Sequence, residues 1–143
     1  LGNLANLRDS MGRFDAAEVD YVAAIQITRE LGDQRSLGIN VGNLAGLRGQ
    51  QRRYDEAERG FREAMDIHRA QKNTRFLGVH ARCFGEILYE IGRIAEAEVE
   101  LRNASQLLRQ VKDALEERAA VRALAKLLRD TKRDDPAAIA EAD

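Results

Sequence analysis

Gly12-Arg13-Phe14-Asp15-Ala16-Ala17-Glu18 returns forty residues later as Arg52-Arg53-Tyr54-Asp55-Glu56-Ala57-Glu58, and after forty more as Gly92-Arg93-Ile94-Ala95-Glu96-Ala97-Glu98. A fixed period of this size marks stacked supersecondary units, each unable to bury its apolar face alone. The chain therefore reads as a repeat array, not as a globule closed around one core. That settles architecture better than purpose, because such an array is a scaffold for binding and does not name its guest.

Composition narrows the partners. The chain has 143 residues, enough for one domain with a real core and too few for a second catalytic unit. Charged residues make up 33% of it and nearly cancel, leaving a formal net charge of -1, so neither nucleic acid nor an anionic membrane is implied. Cys83 is the single cysteine and has no internal disulfide partner, in keeping with a reducing, cytoplasmic compartment. No apolar run approaches the roughly 20 residues of a membrane helix, and no signal-peptide pattern is present. The chain opens at Leu1 without a methionine and, on the repeat register, inside a helix, so it reads as a piece of a longer polypeptide.

Proline occurs once, at Pro136, and Ala, Leu, Arg and Glu dominate, which favours long helices over strands. Asp15 with Glu18, Asp55 with Glu58 and Asp113 with Glu116 have capping-box spacing, while Asp33 and Asn73 stand at further helix starts. Gly32 suits a left-handed helix end. Spacings of three and four place Phe14, Ala17, Tyr21, Ala24, Ile25 and Ile27 on one buried stripe, then Leu37, Val41, Leu44 and Leu47, and later Leu115, Val121, Leu124, Leu127 and Leu128. The expected helices lie near 1–11, 15–31, 34–50, 55–71, 74–91, 94–111 and 114–130, with short connections that make neighbours antiparallel. Beyond Lys132 the register fails, although Asp135 before Pro136 is a helix-start signal.

Forty residues also suits HEAT and armadillo arrays, and the spacing inside each repeat decides between them. Large apolar, Leu, small, turn, aromatic, Ala, aromatic and Ala positions recur in register. They are filled by Leu1, Leu4, Ala5, Gly12, Phe14, Ala17, Tyr21 and Ala24, then by Val41, Leu44, Ala45, Arg52, Tyr54, Ala57, Phe61 and Ala64. The third copy gives Ala81, Phe84, Gly85, Gly92, Ile94, Ala97, Leu101 and Ala104, and a fourth first helix supplies Val121, Leu124, Ala125 and Leu128. Small side chains at the crossing points let helix backbones approach, while large ones fill the space beside them.

On these positions the chain resembles the tetratricopeptide repeat family, in the longer form similar to the repeats of kinesin light chains and bacterial regulators. The usual proline closing the second helix is absent. The resemblance implies an all-α solenoid of antiparallel helix pairs, a single superhelical array over 1–143 with repeats near 1–33, 34–73 and 74–113 and extra helices over 114–143. It also implies a concave groove, lined by the first helix of each repeat, that holds a peptide or protein segment.

Carried onto this sequence, the groove takes Asn3, Asn6, Asn43 and Gln50 from the earlier repeats, and Arg82, Glu86, Tyr89, Arg122, Lys126 and Arg129 from the later ones. A side-chain amide offers a donor and an acceptor together, which suits the backbone of an extended peptide. Asn3 and Asn43, at equivalent positions, either hold such a ligand or hydrogen-bond neighbouring helices and water. Gly42, Gly46 and Gly49 along one helix each cost roughly 1 kcal/mol relative to alanine; either close approach of a ligand or neighbouring helix offsets this, or the helix is simply weak. Arg82, Arg122, Lys126 and Arg129 make the later groove positive, partly balanced by Glu86 and by Glu90, which the resemblance also places there, and favour an acidic partner, against a plainer reading as a solvated face with local ion pairs such as Glu86 with Arg82.

Catalysis has little to stand on. His68 and His80 are the only histidines, Cys83 has no base at motif spacing, and no metal-ligand or phosphate-cradling pattern occurs. His68 is expected on an outer helix face. The expectation is a protein-binding module without cofactor or metal, part of a bacterial regulatory or signalling protein. Its rival is a structural scaffold or spacer that self-associates as a homo-oligomer.

Overall fold

A computed structural model of the protein describes the backbone of residues 2–132 and the side chains of residues 11–131. The helix-start signal at Asp135 and Pro136 lies outside them, as do the side chains of Asn3 and Asn6. Among the described residues the structure is all helical: α1 (Gly2–Leu31), α2 (Gln34–Gln50), α3 (Tyr54–Ala70), α4 (Thr74–Glu90), α5 (Ile94–Gln110) and α6 (Ala114–Lys132).

The connections keep time with the sequence. Gly32, Arg52, Lys72, Gly92 and Lys112 all have positive φ, from 54° to 87°, so a left-handed residue closes a helix every twenty positions. The residue after each turn opens the next helix. Asp33 accepts the Ser36 N–H at 3.1 Å, Asn73 the Phe76 N–H at 3.5 Å and Asp113 the Glu116 N–H at 3.1 Å. These are the caps expected from the sequence.

The other helix starts differ from expectation. Asp55 is not a cap but lies inside α3, and the capping box with Glu58 does not form, because Glu58 pairs with Arg62 at 2.8 Å. Instead Arg53 and Arg93 stand at the cap positions and fork onto Glu56 and Glu96 three residues on, at 2.7 and 2.6 Å. An acidic side chain in the first turn still meets the positive helix end, now with an arginine closing over it.

The expected break between 11 and 15 is also absent. α1 runs without interruption through Gly12 and Arg13, where the twenty-residue period would place a turn. Glu18 accordingly does not cap Asp15 but receives Arg53 at 3.0 Å and Arg48 at 3.5 Å. A side chain at Gly12 would have open space around it.

The chain divides into two compact units, Leu1–Ile67 and His68–Asp143. In the first, α1 packs on α2, and Leu37, Val41 and Ala64 form a core flanked by Ile25 and Ile67. α3 crosses α2 where Gly60 meets Ala45; a Cβ on Gly60 would stand 2.8 Å from the Ala45 Cβ. In the second unit α5 packs against both α4 and α6, and α4 lies beside α6. There Gly78 and Gly85 of α4 seat Leu108 and Leu101 of α5, each at 2.8 Å from where a Cβ would stand.

The repeated small residues do what the spacing asked of them, since Ala57, Ala64, Ala97 and Ala104 are fully buried. The stripes are narrower than expected. Ile27, Leu115 and Val121 are exposed, Leu115 at 73% and Val121 at 44%.

His68 is a further correction, because it is fully buried instead of lying on an outer face. Its Nε2 lies 2.8 Å from Nδ1 of buried His80, one ring donating and the other accepting, with Phe76 tilted against both at about 6 Å. Burial, then the neighbouring His68 and Arg82, lower the pKa of His80 from 6.5 to about 3. The pair is a neutral core contact.

Candidate functional site

α4 and α6 begin successive repeats, and their facing turns open a cavity of about 600 Å³ in the second unit. Glu86, Tyr89 and Glu90 come from α4, and Ala119, Arg122, Ala123 and Lys126 from α6, with Leu101 of α5 beneath. Helical spacing explains the membership. Glu86 and Glu90 are one turn apart, as are Ala119 with Ala123 and Arg122 with Lys126, so each helix presents a single ridge. The small alanines of α6 leave the volume that larger side chains would fill.

Tyr89 is held in place at the mouth. Its hydroxyl donates to Asp130, which pushes the phenol pKa upward, and Lys126 Nζ stands 6.0 Å from the ring centroid. Arg82, one turn before Glu86, is committed within the fold. It reaches Glu86 at 3.2 Å and Glu116 at 3.1 Å, and these carboxylates help hold its pKa up. Arg122 and Glu90 differ, having no ion-pair or hydrogen-bond partner among the described residues.

Five of the residues assigned to the groove thus line one cavity: Glu86, Tyr89, Glu90, Arg122 and Lys126. Arg82 does not line it and is already neutralised by its two carboxylates. Arg129 is exposed on α6, and it is not among the lining residues. Asn43, half-buried, and Gln50, exposed, lie on α2 in the first unit and line none of its described cavities. Close approach at Gly46 is not what the structure shows, since the atom nearest to a Cβ there would be Phe61 Cζ at 3.9 Å.

Leu101, Ala119 and Ala123 were not assigned to the site beforehand. Leu101 follows only once the α4–α5 packing is known, whereas Ala119 and Ala123 stand three residues before Arg122 and Lys126 on α6, a spacing the sequence carries. The cavity of the first unit offers a contrast. It has about 470 Å³, but its Arg29 is paired to Glu63 at 2.7 Å and its Arg48 to Glu56 at 3.3 Å. Its lining charges are largely satisfied by the fold.

Cys83 carries no sign of activation. Burial pushes its thiol pKa up, which disfavours the thiolate that a nucleophile or metal ligand needs. Among the described residues no group of three His, Cys, Asp or Glu is placed to hold a metal ion. No helix among them is long and apolar enough to cross a membrane.

The family model of the tetratricopeptide repeat matches residues 1–31. That is also the segment in which α1 runs through the turn position. No curated protein matches the chain. Among solved structures it is similar to BtubC (BKLC) from P. vanneervenii, at 20% identity and a TM-score of 0.77, over 97% of this chain and 59% of that one. The chain thus spans less than two thirds of that protein's length, and the likeness is one of fold. Tetratricopeptide repeats generally mediate protein–protein interaction or scaffolding. Residues 1–31 match the tetratricopeptide repeat model, and the described residues have an all-α helical repeat fold like that of the solved neighbour, with a forty-residue sequence period.

Proposed function

We propose that this chain is a binding module that holds a peptide or protein segment in the α4–α6 cavity, as part of a larger bacterial regulatory or signalling protein in the cytoplasm. The observation that carries this reading is the convergence of Glu86, Tyr89, Arg122 and Lys126 around an apolar floor of about 600 Å³. A mostly apolar concavity with a few convergent polar groups is the usual form of a binding site. The arginine- and alanine-rich composition and the family resemblance support the bacterial assignment. The raised thiol pKa of Cys83 and the mutual engagement of His68 and His80 favour binding over catalysis.

The test is to fill the cavity. Ala123→Trp places a large ring at a half-buried position that lines the cavity. Peptides selected from a displayed random library on the wild-type protein should lose binding to this variant while helix content by circular dichroism stays unchanged. Peptides that bind both proteins alike count against the reading.

The exposed apolar side chains Leu115 and Val121 on α6 favour a second reading, a scaffold that self-associates. Leu115→Glu should then lower the solution mass measured by light scattering. A monomeric wild-type protein excludes it.

A further inference from the structure

The two walls of the α4–α6 cavity carry opposite charge. Glu86 and Glu90 stand on α4, and Arg122 and Lys126 on α6, with buried Leu101 and the small Ala119 and Ala123 between them. These charges do not neutralise one another across the gap. Glu86 is tied to Arg82 on its own helix, Lys126 faces the Tyr89 ring, and no ion pair or hydrogen bond joins Glu90 or Arg122 to any described residue.

Glu90 is the sharper anomaly. It is the last residue of α4, whose final turn has no basic residue, so its carboxylate sits at the negative end of the helix dipole. The fold gains nothing from an acid there. A cation arriving from outside would supply what the helix end lacks, as an arriving carboxylate would for Arg122.

Resting on the reading of this cavity as a peptide site, we propose that its occupant is an amphipathic segment with an apolar side chain between a basic and an acidic residue. The apolar group enters over Leu101, Ala119 and Ala123. The basic residue turns to Glu90 and Glu86, and the acidic one to Arg122 and Lys126. This narrows the acidic partner expected from sequence to one of mixed charge, because Arg82 is withdrawn by its own carboxylates and Glu90 is left unpartnered.

Three fluorescein-labelled helical peptides test the proposal by anisotropy. They share a central leucine and differ only in its flanks, which are Lys and Glu, two Glu, or two Lys. The mixed peptide should bind at least about tenfold more tightly than either other, since like charges facing each other are penalised. Glu90→Lys should move the preference to the acidic peptide, and Arg122→Glu to the basic one. Equal binding of all three, unmoved by those variants but lost in Ala123→Trp, refutes the charge assignment and leaves the cavity reading standing. Binding that persists in Ala123→Trp, or no binding of any peptide to the wild type, removes both. Ala119→Trp blocks the same space from the next turn and substitutes should Ala123→Trp lose its helix content.

Discussion

At the scale of single residues, glycine shows how one amino acid takes opposite roles in a helix. Gly60 lets α3 lie against Ala45, where an added Cβ would meet another Cβ at 2.8 Å, while Gly46 has only an aromatic tip at 3.9 Å. Gly60→Ala should therefore destabilise by about 1–3 kcal/mol through overpacking, and Gly46→Ala should stabilise by up to about 1 kcal/mol through helix propensity. Urea denaturation of the two variants checks both signs. Glu90→Lys places a favourable charge at the α4 C-terminus and should raise stability by about 0.3–1 kcal/mol, the counterpart of its expected effect on peptide choice.

His80 makes a prediction about pH. With a folded pKa near 3 against the ordinary 6.5, the native state refuses a proton that the unfolded chain accepts. Its contribution is complete above pH 6.5 and is lost on acidification, at up to about 1.4 kcal/mol per pH unit, until about pH 3. The lowered carboxylates of Asp33, Glu56 and Asp113 act in the same direction at lower pH, being stabilising when ionised. Melting temperature should fall as pH drops from 6.5 to 5, before those carboxylates titrate. A flat profile over that window contradicts a neutral buried pair.

At the scale of elements, the turn positions separate helix continuation from helix end. Gly92 has φ of 87°, so Gly92→Ala should cost about 1–2 kcal/mol, whereas Gly12 is helical with open space around it. Gly12→Ala should leave helix content by circular dichroism equal or higher. A loss of helix there would mean that Gly12 turns the chain as Gly92 does. Much of this level was legible in advance: Asp33, Asn73 and Asp113 cap as their spacing requires. The exceptions are in α3 and α1. Asp55 and Glu58 have the spacing of a capping box, but α3 begins at Tyr54, which puts Asp55 inside the helix, and Glu58 pairs with Arg62. Gly12 and Gly92 look alike in sequence and both have open space around them, yet Gly92 is left-handed and Gly12 helical.

At the scale of the molecule, a repeat array responds locally to damage because its stability is a sum over neighbouring contacts. Gly60 belongs to the first compact unit and Gly85 to the second. The cost of Gly60→Ala with Gly85→Ala should accordingly match the sum of the singles within about 0.5 kcal/mol. Hydrogen exchange should rise first in α2 and α3 for the former and in α4 and α5 for the latter. By itself the sequence determined the period, the helical class and the burial of Ala57 and Ala97, because these follow from local propensity and from spacings that recur every forty residues. Tertiary structure alone decided that His68 is buried against His80 and that Glu116 of α6 joins Glu86 in holding Arg82. Such facts depend on which side chains meet across helices far apart in the chain, and a linear pattern does not contain those distances.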